Sequence, residues 1–122
     1  MYWYGVEGDF KAIVMEMLGP DLHKLFEFCE QKFKPTTIAW LGIQMIQRIE
    51  SVHSKEIIHR DIKPENFLIG TSKKVNTVYQ IDFGLSKRFI NPITGEHVEK
   101  KKTSWVTGTP RYCSKNAWMG KP

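Results

Sequence analysis

Asp61, Lys63, Asn66 and Asp82 bring together a carboxylate, a cation and two further hard oxygen ligands in one part of the sequence. Those are the parts that transfer of a phosphoryl group from ATP requires. A carboxylate must orient the attacking hydroxyl and accept its proton, a cation must offset charge on the moving group, and oxygen ligands must hold magnesium against the phosphates. Magnesium takes few protein ligands and keeps waters and phosphate oxygens for the rest, so Asn66 and Asp82 suffice as the protein's share. The segment opens with His59-Arg60-Asp61, runs through Ile62-Lys63-Pro64-Glu65 to Asn66, and is followed by Asp82-Phe83-Gly84. Any one of these residues alone is an ordinary turn former or a satisfied histidine. Turn formation does not demand all of them in this order, and the combination carries the reading.

Positioning them falls to the elements around them. Asp61, Lys63 and Asn66 share one loop, and a short hairpin from Phe67 to Ile81 would return Asp82 to the same place. Phe83 is expected to anchor that aspartate by packing, and Gly84 to permit the backbone turn after it. Upstream, residues 2–6 and 10–15 read as two strands around Glu7-Gly8-Asp9, and Ala12 to Met15 is apolar on both faces, as a covered strand would be. Gly19-Pro20 ends that strand. Asp21 is placed to cap a helix whose apolar face is Leu22, Leu25, Phe26 and Cys29, which makes Cys29 a buried, reduced thiol. After Phe33-Lys34, Pro35 opens a longer helix. There Ile38, Leu41, Met45, Ile49 and Val52 recur at helical steps, and Trp40, Ile43 and Ile46 widen the stripe, so burial on most sides is expected. From Ser54 the short apolar pieces Ile57-Ile58, Phe67-Leu68-Ile69 and Val78-Tyr79 alternate with polar clusters, as small strands framing loops do. Beyond Gly84 no periodicity survives, and so long an irregular stretch belongs in a compact domain only where it serves a function.

A chain of 122 residues leaves room for one modest domain, and 41% hydrophobic with 12% aromatic residues argues against disorder. The net charge of +5 suits an acidic protein substrate, a nucleic acid or an anionic membrane alike. No stacking motif or groove-reading helix accompanies it, so nucleic acid is not expected as a partner. No apolar run approaches membrane-spanning length, and no signal peptide opens the chain. Cys29 and Cys113 match no metal or redox spacing. The default is an intracellular monomer of the cytoplasm or nucleus.

The segment from His59 to Asn66 and the triplet Asp82-Phe83-Gly84 resemble the catalytic loop and metal-binding triplet of eukaryotic protein kinases. The fold this resemblance implies is α+β and protein-kinase-like, in incomplete form. Residues 1–15 would end the N-terminal lobe sheet, 16–20 form the hinge, and 21–122 begin the mainly helical C-terminal lobe with its catalytic loop and activation segment. Lys63, two positions after the aspartate, implies serine/threonine specificity. A finer resemblance, from about Trp3 to Gly120, is to the casein kinase 1 family, through WYGVEGDF, VMEMLGPDLHKLFEFC, MIQRIESVHSKEIIHRDIKPENFLIG and YQIDFGLSKRF. Its most diagnostic parts are Leu18-Gly19-Pro20 and Gly108-Thr109-Pro110-Arg111-Tyr112 with Ser114-Lys115-Asn116. Lys115 stands where that family has isoleucine, and Pro110 where it has alanine.

Carried over residue by residue, the resemblance implies Asp61 as catalytic base, Lys63 as its charge partner and Thr109 as the bridge between them. Asn66 and Asp82 would hold Mg2+ against ATP. Glu16 and Leu18 resemble the hinge positions whose backbone bonds adenine, Met15 the residue guarding the back pocket, and Leu68 and Ile81 the floor and wall under the base. Asp21 would reach the ribose or cap its helix. Arg60, Lys87 and Arg111 match anion-binding positions, which implies protein substrates that are acidic or already phosphorylated; the run Lys100 to Lys102 fits the same reading. No G-x-G-x-x-G stands in the sequence, nor the strand lysine and helix glutamate that accompany it. The chain is therefore expected to be a piece of a kinase, inactive and poorly stable alone. A few hundred Å2 of uncovered apolar surface, at about 25 cal/mol per Å2, rivals a domain's net stability of about 5–15 kcal/mol. The alternative is a kinase-derived binding module that docks partners through its basic segment without catalysis.

Overall fold

A computed structural model describes residues 1–99 and 102–120. It opens with an antiparallel hairpin of β1 (Trp3–Glu7) and β2 (Phe10–Val14), whose register runs from Trp3 opposite Val14 to Glu7 opposite Phe10. Gly8 turns the chain between them at φ +57°, a conformation glycine adopts without steric cost. The two strands fall where the apolar runs predict them. Their covering does not: Val6, Phe10, Ile13, Val14 and Met15 are all exposed.

Residues 15–21 then cross to the middle of the molecule and are stitched there. Gly19 N–H donates to Ile69 O at 2.8 Å, Ile69 N–H donates to Pro20 O at 3.1 Å, and Asp21 bridges to Leu68. Asp21 Oδ1 accepts from Lys24 N–H at 2.9 Å and so caps α1 (Leu22–Phe28), satisfying one of the helix's orphan donors. Cys29 corrects the expected buried thiol. It is the C-terminal cap of α1 and exposed, because the helix ends one residue before its apolar face would have turned inward again. The helix α2 (Pro35–His53) starts at Pro35, whose missing N–H is one the first turn leaves unpaired anyway.

Leu41 of α2 packs with Leu22, Phe67 and Val78 into the core, and Leu25, Phe33, Met45, Ile49, Ile62 and Ile69 surround them. The residues that widen the stripe behave differently from their sequence reading: Trp40, Ile43 and Ile46 are exposed, since no described element lies over that face, and Ile38, on the core-facing stripe, is exposed at the groove it lines with Leu22 and Phe26. The rest of the core comes from the antiparallel pair β4 (Phe67–Ile69) and β5 (Val78–Gln80), in the register Phe67 to Gln80, Leu68 to Tyr79 and Ile69 to Val78. A second small pair joins β3 (Ile57–Ile58) to β6 (Lys87–Arg88). A single-turn helix, α3 (Lys115–Trp118), closes the described chain; Ser114 Oγ caps it by accepting from Ala117 N–H at 3.2 Å. The accessible surface is 9530 Å2, against about 6,800 Å2 for a compact monomer of this mass. No helix among the described residues is long and apolar enough to cross a membrane.

Candidate active site

The loop between β3 and β4 carries the first three site residues, and its geometry begins with a strained residue. Arg60 has φ +68°, in the left-handed region that costs a side-chain-bearing residue about 1–2 kcal/mol. Strain of this kind persists only where surrounding bonds over-determine the backbone. His59 supplies some of them. It is 3% exposed; its Nε2 donates to Ile81 O at 2.9 Å and its Nδ1 accepts from Asp61 N–H at 3.3 Å, which fixes the Nε2–H tautomer. Arg60 Nε donates to Leu85 O at 2.6 Å. The loop is thereby tied to the segment that follows β5 on both sides of Asp82.

Asp61 is 8% exposed and every part of its carboxylate is engaged. Oδ1 accepts from Thr109 N–H at 2.8 Å and from Thr109 Oγ1 at 2.7 Å. Oδ2 lies 2.9 Å from Lys63 Nζ and accepts from Asn66 Nδ2 at 3.2 Å. Lys63 Nζ also donates to Thr109 Oγ1 at 3.0 Å, so the threonine hydroxyl connects cation and carboxylate. Burial pushes the Asp61 carboxyl up, but the Lys63 ammonium and the two Thr109 bonds overcome it and bring the value down to about 2. The same hydrogen bond to Asp61 raises the Lys63 ammonium, and the nearby Glu65 and Asp82 carboxylates add to the effect. At neutral pH the pair is a full anion beside a full cation.

Asn66 closes the 3-10 turn Pro64–Asn66 and is 4% exposed. Its Nδ2 is spent on Asp61 O at 2.8 Å and on Asp61 Oδ2, which leaves its Oδ1 without a hydrogen bond from any described residue. Ile81 N–H donates to Asn66 O at 3.0 Å, extending the β4–β5 ladder by one rung and setting Asp82 immediately beyond Asn66. Asp82 is exposed, at φ +62°, and its Oδ1 accepts from Gly84 N–H at 3.2 Å, leaving Oδ2 open. Two unengaged hard oxygens, on residues that the Ile81–Asn66 bond brings to neighbouring positions, are the kind of donor that fits magnesium. Among the described residues no group of three His, Cys, Asp or Glu is placed to hold a metal ion by itself. The backbone turn expected at Gly84 is present, closed by Ser86 N–H donating to Phe83 O at 3.0 Å, while the left-handed conformation falls on Asp82, an aspartate being one of the few residues that accept it. Phe83 packs edge-on against the His59 ring at 5.0 Å, close to its expected anchoring use.

Thr109 arrives from a distant part of the chain through Gly108, which holds φ +94° with its Cα against Arg60 O; a methyl group there would lie 2.5 Å from that oxygen. Cys113 Sγ donates to Thr107 O at 3.2 Å behind it. A cavity of about 230 Å3 beside Asp61 is lined by Arg60, Ile62, Thr107, Tyr112 and Cys113.

The remaining predicted residues divide. Leu68 and Ile81 are half-buried on the hairpin, next to Met15–Leu18 through the Gly19–Ile69 bonds. The backbone groups of Glu16 and Leu18 make no hydrogen bond with a described residue, while the Glu16 side chain pairs with Lys74 Nζ at 2.7 Å and raises that ammonium. Met15 is exposed. The Asp21 carboxylate is committed to Lys24, through the cap and an ion pair at 3.6 Å. Of the three anion-binding positions, Arg60 lines the cavity beside Asp61 together with Tyr112. Arg111 lies over the Tyr112 ring at 5.7 Å and lines a groove of about 580 Å3 with Leu22, Phe26 and Met45, because the 3-10 turn Pro110–Tyr112 directs it there. Lys87 pairs in β6 and lines neither cavity. Lys100 and Lys101 lie outside the described residues; Lys102 is exposed.

Two residues that matter here escaped the sequence reading. Gln44 of α2 donates to Asn76 O at 3.2 Å and accepts from Val78 N–H at 3.0 Å; a polar side chain between Leu41 and Met45 on a core-facing helix was its only signal. Thr71 Oγ1 donates to Met17 O at 3.3 Å and had none. The family model described as protein kinase domain matches residues 2–118.

Proposed function

Because the chain belongs to the protein kinase domain family, we propose that it is the catalytic-loop part of a serine/threonine kinase of casein kinase 1 type, acting on acidic or already phosphorylated proteins with ATP and Mg2+. The observation that carries the catalytic reading is the carboxylate of Asp61 bonded at once to Lys63, Thr109 and Asn66. A carboxyl held at about 2 is charged at neutral pH and can orient a serine or threonine hydroxyl in exchange for one of its present bonds, the one from Asn66 Nδ2 at 3.2 Å being the longest. It keeps the proton only while transfer is under way. Lys63, held charged by Asp61, offsets the negative charge that builds up on the oxygens being transferred. Asn66 Oδ1 and Asp82 Oδ2 are the atoms that would take magnesium, whose contribution when bound is to neutralise the phosphates and hold them in line. The unbonded backbone groups of Glu16 and Leu18 support the adenine reading, and the Leu18-Gly19-Pro20 and Gly108–Asn116 resemblances support the casein kinase 1 type.

No phosphate-covering glycine loop stands in the 122 residues, so turnover by them alone is expected to fall below detection. The test supplies what is missing. A chimera that places a glycine-rich loop and strand lysine ahead of residue 1 should phosphorylate serine peptides with acidic or phosphorylated upstream residues better than neutral ones. Asp61→Asn should abolish transfer, by at least about 10^2-fold for loss of a positioned base. Transfer that survives Asp61→Asn, or a preference for neutral peptides, would overturn the corresponding half of the proposal.

A further inference from the structure

Gln44 is bonded in a way that a packing residue is not. Both ends of its amide are used, and both partners lie on one stretch of backbone: Asn76 O, in the turn that leads into β5, and, two residues on, Val78 N–H, at the first residue of β5. Those two groups face away from β4. The inward-facing rungs are those of the residues between and beyond them, Gly70 N–H to Thr77 O at 2.9 Å and Ile81 N–H to Asn66 O at 3.0 Å. The outer edge of β5 is where a further strand would add, since an edge presents its unpaired N–H and C=O groups in a row. Gln44 takes the place of that strand with a single side chain. Val78 is fully buried, so without the glutamine its N–H would face no water and have no acceptor.

The position of this contact gives it a consequence at the site. β4 follows directly from Asn66, and Asp82 comes two residues after β5. The register between the strands therefore sets where the two metal-side oxygens stand relative to each other, and a slip of one residue would move every side chain of β5 to the opposite face. Three strand pairs with one bonded pair beyond each end are a short ladder to hold a register by themselves. Gln44 gauges β5 against α2, a helix of 19 residues anchored in the core by Leu41 and Met45. Resting on the phosphotransfer reading above, we propose that Gln44 is a positioning residue for the Asn66–Asp82 pair: its amide stands in for a neighbouring strand and fixes the register of the hairpin that carries both metal-side oxygens.

The experiment compares wild type with Gln44→Met, which keeps the side chain's length and loses both bonds, and with Gln44→Glu, which keeps the acceptor for Val78 N–H and loses the donor. Ile49→Val, a core change on the same helix, controls for stability alone. Two quantities are read on the whole chain: amide hydrogen exchange at Val78 and Ile81, and Mn2+ affinity in the presence of a non-hydrolysable ATP analogue, followed by water proton relaxation. Gln44→Met should speed exchange at both amides and weaken Mn2+ by about tenfold, the scale on which loss of an orienting partner acts. Gln44→Glu should fall between, and Ile49→Val should lower the urea midpoint while leaving Mn2+ affinity within twofold. Should Gln44→Met not fold, Gln44→Glu decides alone, and wild-type exchange at Ile81 as fast as in an unstructured peptide would itself refute the register role. Unchanged Mn2+ affinity in Gln44→Met, or an equal loss in Ile49→Val, overturns the proposal. Wild type that binds no Mn2+ with nucleotide, and gains none when a glycine-rich loop and strand lysine are placed ahead of residue 1, sinks the phosphotransfer reading instead, and the exchange data at Ile81 then judge Gln44 by themselves.

Discussion

The hairpin of β1 and β2 pairs five residues on each strand, whereas that of β4 and β5 pairs three. The shorter one holds Phe67 and Val78 at 0% exposure, and the longer one buries none of its large side chains. Backbone ladders exchange hydrogen bonds with water for hydrogen bonds within the chain, and the net gain per bond is small. An isolated two-stranded hairpin is marginal for that reason. What β4 and β5 have in addition is α2 behind them, the Gln44 amide on their outer edge and the polar network of Asp61 at their base. The difference teaches that in this chain covering, and not ladder length, decides which hairpin is firm.

The sharpest way to break that comparison is to truncate one phenylalanine in each hairpin. Phe67→Ala should lower unfolding free energy by about 3–5 kcal/mol in urea titration, while Phe10→Ala should stay within about 0.5 kcal/mol. A Phe10→Ala cost approaching that of Phe67→Ala would mean that β1 and β2 are covered after all.

Acid should separate the regions next. The Asp61 carboxyl lies at about 2 in the folded chain against an ordinary 3.8. A depressed carboxyl stabilises the fold fully above its unfolded value, and that contribution disappears as the pH falls through the folded one. Stability should therefore drop by about 2 kcal/mol between pH about 4 and about 2. Thr109→Val, which removes the hydroxyl bond to Oδ1, should flatten the drop. Tryptophan fluorescence against pH at fixed urea measures it, and the same slope in Thr109→Val and wild type would remove the threonine from the account.

Smallest of all is the contact between the two regions themselves. Glu16, just past β2, pairs with Lys74, in the turn between β4 and β5, at 2.7 Å. Both side chains are open to water, where such pairs contribute little and are screened by salt. Lys74→Ala should leave the urea midpoint unchanged within error at 0.15 M salt. A clear loss would show that the ion pair, and not the Gly19–Ile69 stitching, holds the two regions together.

Much of the local architecture was legible. Gly8, Asp21 and Pro35 each announce an element boundary through their own chemistry, and the structure has all three in those uses. Failure came wherever the answer depended on what lies across from a residue. Trp40, Ile43 and Ile46 widen a stripe of helical period, but periodicity says which residues share a face and nothing about whether that face is covered. Lys87 and Arg88 have no strand propensity and are strand-paired because Ile57 and Ile58 reach them. At the site, residue identities in order pointed to the chemistry, whereas the positive φ of Arg60 and Asp82 and the bonds of Gln44 are tertiary facts with no pattern in the chain. Arg111 lines the groove beside α1 and α2, a placement that its match in the sequence did not indicate.

The bond between Thr109 and Asp61 spans 48 positions, and that separation has a meaning in time. A ribosome adding about 5–20 residues per second makes the aspartate several seconds before its threonine. Through that interval Lys63 and Asn66, both within five positions of Asp61, are the partners it has. The carboxylate is thus built in two instalments, a local one that forms with the loop and a remote one that signs off only when the chain has grown past Gly108. A nascent chain halted between the two would carry every residue of the catalytic loop and still lack the lock that closes it.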